Sequence, residues 1–281
     1  MRTTAMRDRH GNTMVAAAAT IVGVVLFLLP IYWMVVTSLK SSVQIFQYPP
    51  VWMPIPPQWS NYVEATRFIP FFNYIKNSAM YCALTILGAL FSNSLVAYSF
   101  ARLDWPFKKF GFLLTLSMMM IPFQVTMIPL FLMMHKLGWA NTYLPLVVPH
   151  FFGNAFFIFL LRQFFMTIPE EYSSCARIDG AGELMIFAWI IVPQCKAALS
   201  VVALFQFIDA WRDFLGPLIY LNDESKFPIS LGIQQFVVTY YKPEWGLLMA
   251  ACVMTTVPIV VLFAFFQRYF VEGITITGLK G

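Results

Sequence analysis

The chain is 281 residues long, 59% hydrophobic and only 11% charged, with a mean hydropathy of +0.71. Soluble domains carry about 25% charged residues, so a soluble globular fold is excluded and an all-α membrane-spanning chain is indicated, because apolar helices satisfy their own backbone groups in lipid. In so apolar a chain the net charge of +5 reads as Lys and Arg retained on one side of a membrane, not as a nucleic-acid surface.

Apolar runs long enough to cross the hydrocarbon core as helices recur six times in chain order. The first covers about 14–36 and follows Arg2, Arg7 and Arg9. It is too long for a signal-peptide core and no clear cleavage site follows it, so it reads as a retained anchor. A Pro- and aromatic-rich stretch, 48–70, is expected to lie on the membrane surface, since repeated prolines break helices and Trp and Tyr favour the interface. The second span, 72–100, ends in a short basic turn holding Arg102, Lys108 and Lys109. The third, 110–134, is interrupted by Pro122 and Pro129. The fourth, 143–165, carries Pro145 and Pro149 in its first turns.

A polar loop over 167–193 separates the fourth span from the fifth, 197–221. The sixth, 245–270, has Pro258 inside. With the N-terminus in the cytoplasm, Arg2, Arg7, Arg9, Arg102, Lys108, Lys109, Arg162, Arg177, Lys196, Arg268 and Lys280 all fall on the inner side, leaving seven of the 18 Lys and Arg outside. Both termini and the 167–193 loop are therefore expected in the cytoplasm. No internal repeat is visible and no soluble domain fits between spans, so residues 1–281 read as one membrane domain. Cys82, Cys175, Cys195 and Cys252 lack CxxC spacing and His10, His135 and His150 are scattered, so neither a metal site nor a disulfide framework is expected.

The 167–193 loop holds the most specific pattern. Pro169 fits a helix first turn, and Glu170 and Glu171 sit where the helix dipole favours acids. Ser173, Ser174, Cys175 and Ala176 offer small side chains that could enter a partner's groove. Gly180 can adopt positive φ and stop the helix. Ala176-Arg177-Ile178-Asp179-Gly180-Ala181, followed nine residues later by Ile190-Ile191-Val192-Pro193, resembles the EAA loop of importer-type ABC transporter permeases. Ser174 and Cys175 stand where that family usually has Glu and Ala.

The resemblance implies a type I importer permease fold with six transmembrane helices, in which Glu170, Glu171, Ser174, Cys175, Ala176, Arg177, Asp179, Gly180, Ala181 and Pro193 form the element that couples to an ATPase. It also implies a homologous second permease as a heterodimer partner, two ATPase subunits, an extracytoplasmic solute-binding protein, and location in a prokaryotic inner membrane. ATP and Mg would act on the partner ATPases. This chain has no GxxxxGK[ST] loop and would bind no cofactor itself.

The segment Phe207–Leu218 is similar to the W-N-[DE]-x-L-x-P-L stretch of the same family, with Arg212 in place of Asn. Asp209, Trp211, Arg212 and Asp213 there either line a solute path or form a self-neutralising structural cluster near the outer interface. The tail, 273–281, resembles the carbohydrate branch of these permeases, which implies a sugar or oligosaccharide as solute. Asn93, Gln124, Asn154 and Gln206 are further candidates for the path, although a polar residue in a membrane helix more often bonds a neighbouring helix. Two rival readings make distinct demands. An ion-gradient-driven carrier often shows inverted repeats, and an intramembrane enzyme would show HExxH or GxSxG; neither pattern is present.

Overall fold

The computed structural model describes the backbone of residues 2–238 and 244–278, and the side chains of 16–238 and 244–267. Among these residues all regular structure is helical. Four helical stretches are long and apolar enough to cross a membrane, one of them (Leu144–Thr167) interrupted, or up to six if two sharply bent pairs each count as one span. The basic residues expected at the chain's start, and the tail from 273 onward, fall outside the described side chains. By its internal contacts the chain divides into two compact units.

The first unit comprises residues 1–70 and 233–257. Helix α1 (Arg2–Ser38) runs unbroken through Pro30, and its apolar stretch Ala16–Ser38 is almost wholly exposed, as suits a lipid-facing helix. The segment expected to be a surface loop is partly helical and tied down. Within it α2 (Ser60–Phe68) carries Asn61, whose amide donates to the carbonyls of Ser38 and Lys40 at 2.8 and 3.0 Å. Gln58 N–H donates to Leu39 O, so these bonds satisfy carbonyls that the end of α1 leaves open. Tyr32 donates to Trp52 O at 2.8 Å, and Trp33 meets Trp52 edge-on at 5.3 Å.

The second unit comprises residues 71–232 and 258–281. Its axis is α3 (Phe71–Arg102), 32 residues long. Next come α4 (Lys108–Ser117), α5 (Phe123–Lys136), α6 (Ala155–Thr167), α7 (Glu170–Ile178), α8 (Glu183–Ile186), α9 (Lys196–Arg212) and α10 (Leu215–Tyr220). Small residues on α3 let α6 and α9 approach closely, which is how helices associate where lipid supplies no hydrophobic drive. Ala89, Ala97 and Tyr98 of α3 pack with Phe157, Leu161 and Phe165 of α6 and Ala198 and Val202 of α9. A Cβ on Gly88 would lie 2.6 Å from the Phe151 ring. The final helix, α11 (Trp245–Gly278), passes through Pro258 without a break.

Three expected spans are not single helices. The third bends by 98° between Met120 and Phe123, where Pro122 is extended (ψ 140°) and ends the preceding run. Pro129 lies within α5 and does not break it. The fourth opens as short turns, Leu144–Val147 and Val148–Phe151. It restarts after Gly153 (φ +96°), where Asn154 caps α6 by accepting from Phe156 N–H and Phe157 N–H. The fifth ends at Arg212 rather than near 221. Asp213 then accepts from Gly216 N–H at 3.0 Å, starting α10 on a new axis. Upstream, the Glu183–Gln194 stretch, which includes a π-helical turn, bends 82° into α9.

Candidate functional site

The loop after α6 is a built element. Pro169 stands at the N-cap of α7 (φ −56°, ψ 138°), one position earlier than the first helical turn, so Glu170 and Glu171 occupy that turn. At the other end Gly180 takes φ +86°. Ala181 N–H donates to Ala176 O at 2.9 Å and Gly180 N–H to Arg177 O at 3.1 Å. These paired bonds are the Schellman termination, and Ala176 and Ala181, its two hydrophobic partners, both pack on the unit's core.

A chain of charged contacts holds this element to α3. Arg102, whose side chain is only 5% exposed, pairs with Glu170 at 2.5 Å. Its other amino group donates to Phe165 O at 2.6 Å and to Ile168 O, capping the end of α6. Glu170 also meets Arg177 at 2.9 Å, and Arg177 meets Glu183 at 2.8 Å. Tyr98, one turn before Arg102 on α3, donates to Glu183 at 2.6 Å. The contacts thus close a ring from α3 through α7 and α8 and back to α3. The hydrogen bond from Arg177, then that from Tyr98, holds the Glu183 carboxyl below the usual carboxylate value. For Glu170 burial pushes upward, but hydrogen bonds and charge from Arg177 and Arg102 leave it lowered. Hydrogen bonds to Glu183 and Glu170 raise Arg177.

The ring uses the inner face of α7, which corrects one expectation about its surface. Ser173 is fully buried and Ala176 is half-buried on the core, so neither is offered to a partner. The exposed side carries Glu171, Ser174, Cys175 and Ile178, at i, i+3, i+4 and i+7 along one helical face. Tyr172 is exposed beside them, and Ile178 is 85% exposed. Asp179 and Gly180 are also exposed. Leu184, Met185 and Trp189 extend the exposed apolar surface. Pro193 is exposed in the short helix Val192–Gln194, just before the bend. Sequence reasoning missed Arg102, Tyr98 and Glu183. Arg102 could have been flagged as a lone Arg at the end of an apolar span, but its partners lie too far along the chain to be read.

The candidate solute-path residues separate into two groups. Asn93 is fully buried and engaged with backbone, donating to Ala89 O and accepting from Asn154 N–H, both at 2.6 Å. The Asn154 side chain is the α6 cap, and Gln124 lies exposed on α5. Trp211 is buried and stacks on Phe207 at 5.4 Å. Gln206, Asp209, Arg212 and Asp213, by contrast, line one cleft of about 830 Å³, within the range of small-molecule sites.

Asp209 and Arg212 pair at 2.7 Å with both side chains more than half exposed. Asp213 accepts from Tyr81 O–H at 2.9 Å as well as from Gly216 N–H. Gln206 is 2% exposed, and its amide nitrogen has no hydrogen-bond partner. A second cavity, of about 640 Å³, is lined by residues such as Phe100, Met118 and Asn154 and holds no ionisable group. Among the described residues no group of three His, Cys, Asp or Glu could hold a metal ion.

Bent apolar spans around α3, an amphipathic helix pinned to α3 by charged contacts and a mostly apolar cleft carrying Asp209, Arg212 and Asp213 define a polytopic membrane protein. Residues 85–276 match the family described as binding-protein-dependent transport system inner membrane component, and the chain belongs to that family. It is similar to the arabinooligosaccharides transport system permease protein AraQ of Halalkalibacterium halodurans, 37% identical over 75% of each chain. It also resembles the sn-glycerol-3-phosphate transport system permease protein UgpE of Yersinia pestis, 30% identical over 96% of this chain and 98% of that one. Among solved structures, a bacterial ABC transporter involved in the import of the acidic polysaccharide alginate shares the fold, with a TM-score of 0.82 and 24% identity over 92% of this chain and 95% of that chain.

Proposed function

We propose that this chain is the membrane-spanning subunit of an ATP-driven, binding-protein-dependent importer of a sugar or oligosaccharide. One observation carries the coupling role: α7 is clamped to α3 by the Arg102–Glu170–Arg177–Glu183–Tyr98 ring while its opposite face is left open. A permease without a phosphate-binding loop receives mechanical work through a contact, and only a rigid contact transmits displacement. On this reading Glu171, Ser174, Cys175 and Ile178 enter a groove of a partner ATPase, and a push on α7 reaches α3 and α6 through Arg102.

Residues 1–281 act as a single transmembrane domain with both termini and the 167–193 loop in the cytoplasm. The assembly comprises a homologous second permease as a heterodimer partner, two ATPase subunits and an extracytoplasmic solute-binding protein. This chain binds no cofactor; ATP and Mg act on the ATPases. Nucleotide-driven closure of the ATPase pair opens the solute path outward, and hydrolysis resets it, giving alternating access. Relatives named for arabinooligosaccharides support a sugar, whereas one named for sn-glycerol-3-phosphate leaves the solute's charge open.

Purification of the tagged chain with its native neighbours tests the coupling role. An ATPase and a second permease are expected to co-purify, and Ile178→Glu with Tyr172→Glu should release the ATPase while retaining the second permease. A chain that emerges alone and moves solute without ATP is an ion-gradient-driven carrier, and that result overturns the reading.

A further inference from the structure

We propose that the cleft between α5, α9 and α10 is a solute-binding site in this subunit, selective for uncharged sugars over acidic ones. The inference rests on the importer reading and adds to it the chemical class of the cargo.

An unpaired buried amide costs about 1–3 kcal/mol, so the orphaned nitrogen of Gln206, sealed in the wall of the cleft, gains what folding left unmade when its side chain turns toward a bound acceptor. A sugar hydroxyl is such an acceptor, and it can also donate. At the mouth of the cleft the Asp209–Arg212 pair is exposed and held by one 2.7 Å contact. A vicinal diol can donate to that carboxylate and accept from that guanidinium without separating them. Phe123, Pro145 and Tyr220 supply apolar faces against which the C–H patches of a pyranose or furanose ring can lie.

Charge then decides between neutral and acidic cargo. The cleft is lined by two carboxylates, Asp209 and Asp213, and one guanidinium, Arg212, which leaves a formal charge of minus one. His150 is the only other lining group able to carry a positive charge. Asp213 is engaged by Tyr81 and Gly216, and Arg212 is already paired with Asp209, so no guanidinium or ammonium in the cleft is left unpaired. A uronate or a phosphate ester would enter against net repulsion and find no guanidinium fork free to receive it. An uncharged oligosaccharide meets neither obstacle.

The test uses the complex purified with its native partners. Equilibrium binding of radiolabelled arabinotriose, maltotriose and a mannuronate trimer is measured on the complex without its binding protein. ATP-dependent uptake of the same sugars is measured in proteoliposomes with it. Binding should favour a neutral trimer over the acidic one. Gln206→Leu should weaken neutral binding about fivefold, the equivalent of one lost hydrogen bond. Asp209→Asn, which frees Arg212 and removes one negative charge, should raise affinity for the mannuronate trimer roughly five- to tenfold, a gain that high salt erodes. Misfolding cannot produce that gain.

Equal or tighter binding of the acidic trimer, or a Gln206→Leu and Asp209→Asn pair that leaves both affinities unchanged, overturns the cleft assignment while the importer reading stands. Uptake of these sugars that does not depend on ATP overturns the importer reading, and the inference falls with it.

Discussion

Replacing Arg102 should loosen the junction of α6 and α7 far more than replacing Arg177, although Arg177 is the one that lies in the recognisable motif. The Arg102 side chain is 5% exposed and donates to Phe165 O, Ile168 O and Glu170. Each charge-assisted bond to a carbonyl contributes roughly 1.5–3 kcal/mol. The Glu170 pair adds little, because that carboxylate is 52% exposed and solvent screens it. Allowing water to reach one freed carbonyl, Arg102→Met should cost about 3 kcal/mol, or about 150-fold in a local opening equilibrium.

Arg177 bonds only Glu170 and Glu183, whose side chains are 52% and 40% exposed. Such pairs contribute about 0.2–1 kcal/mol each, so Arg177→Met should shift the same equilibrium by about fivefold. Hydrogen exchange of the purified full chain in lipid nanodiscs, followed on peptides spanning 165–186, reads this directly. Equal acceleration by the two variants, or a larger effect from Arg177→Met, would refute the claim that the junction of α6 and α7 is held chiefly by the buried guanidinium.

Gly180→Val should open the α7 element by about 1–2 kcal/mol, since a β-branched residue is forced to φ +86°. No atom would crowd its Cβ, so Gly180→Asn, which tolerates that region, should recover most of the loss on the same exchange assay. The pH response follows from Glu170 and Glu183, both held below their ordinary value of 4.5. A carboxyl lowered in the folded state adds stability above its unfolded pKa and loses it as pH falls through the folded one. Protection factors over 179–186 should therefore be flat from about pH 8 to about pH 5.5 and fall below about pH 4.5; a change near neutrality would point to other groups. Gly88→Ala, driven against Phe151, should lower thermal stability by roughly 1–3 kcal/mol, whereas Gly23→Ala on α1, with nothing within 4 Å, should not destabilise.

The sequence made the helical class, the polar loop and its glycine stop legible, because hydropathy and a single φ requirement are local properties. It did not reveal which face of α7 is open. Ser173 and Ser174 are chemically alike, yet one is fully buried and the other exposed, a difference set by which side of α7 is turned to the core. The breaks at Pro122 and at Asn154 look like ordinary features of a polar-dotted apolar run, since whether a proline kinks or ends a helix depends on what its neighbours satisfy. The ring from Arg102 to Glu183 joins residues 68 positions apart and more, beyond any local pattern. At Asp209, Arg212 and Asp213 the sequence left a structural cluster and a path lining in balance. The structure shows the cluster's contacts, with Asp213 capping α10 and Asp209 paired to Arg212 at the lining of one cleft, and the role of that cleft as a path is the proposal made above.

The central claim, that the outer face of α7 is an ATPase contact on the cytoplasmic side, can be tested through Cys175. It is exposed, whereas Cys82 and Cys195 are buried. A membrane-impermeant maleimide applied to inside-out vesicles, with Cys252 replaced by Ala, should label Cys175 when the ATPase subunits are stripped and fail to label it when they are restored. Labelling from the outer face only, or labelling indifferent to the ATPase, would contradict the account.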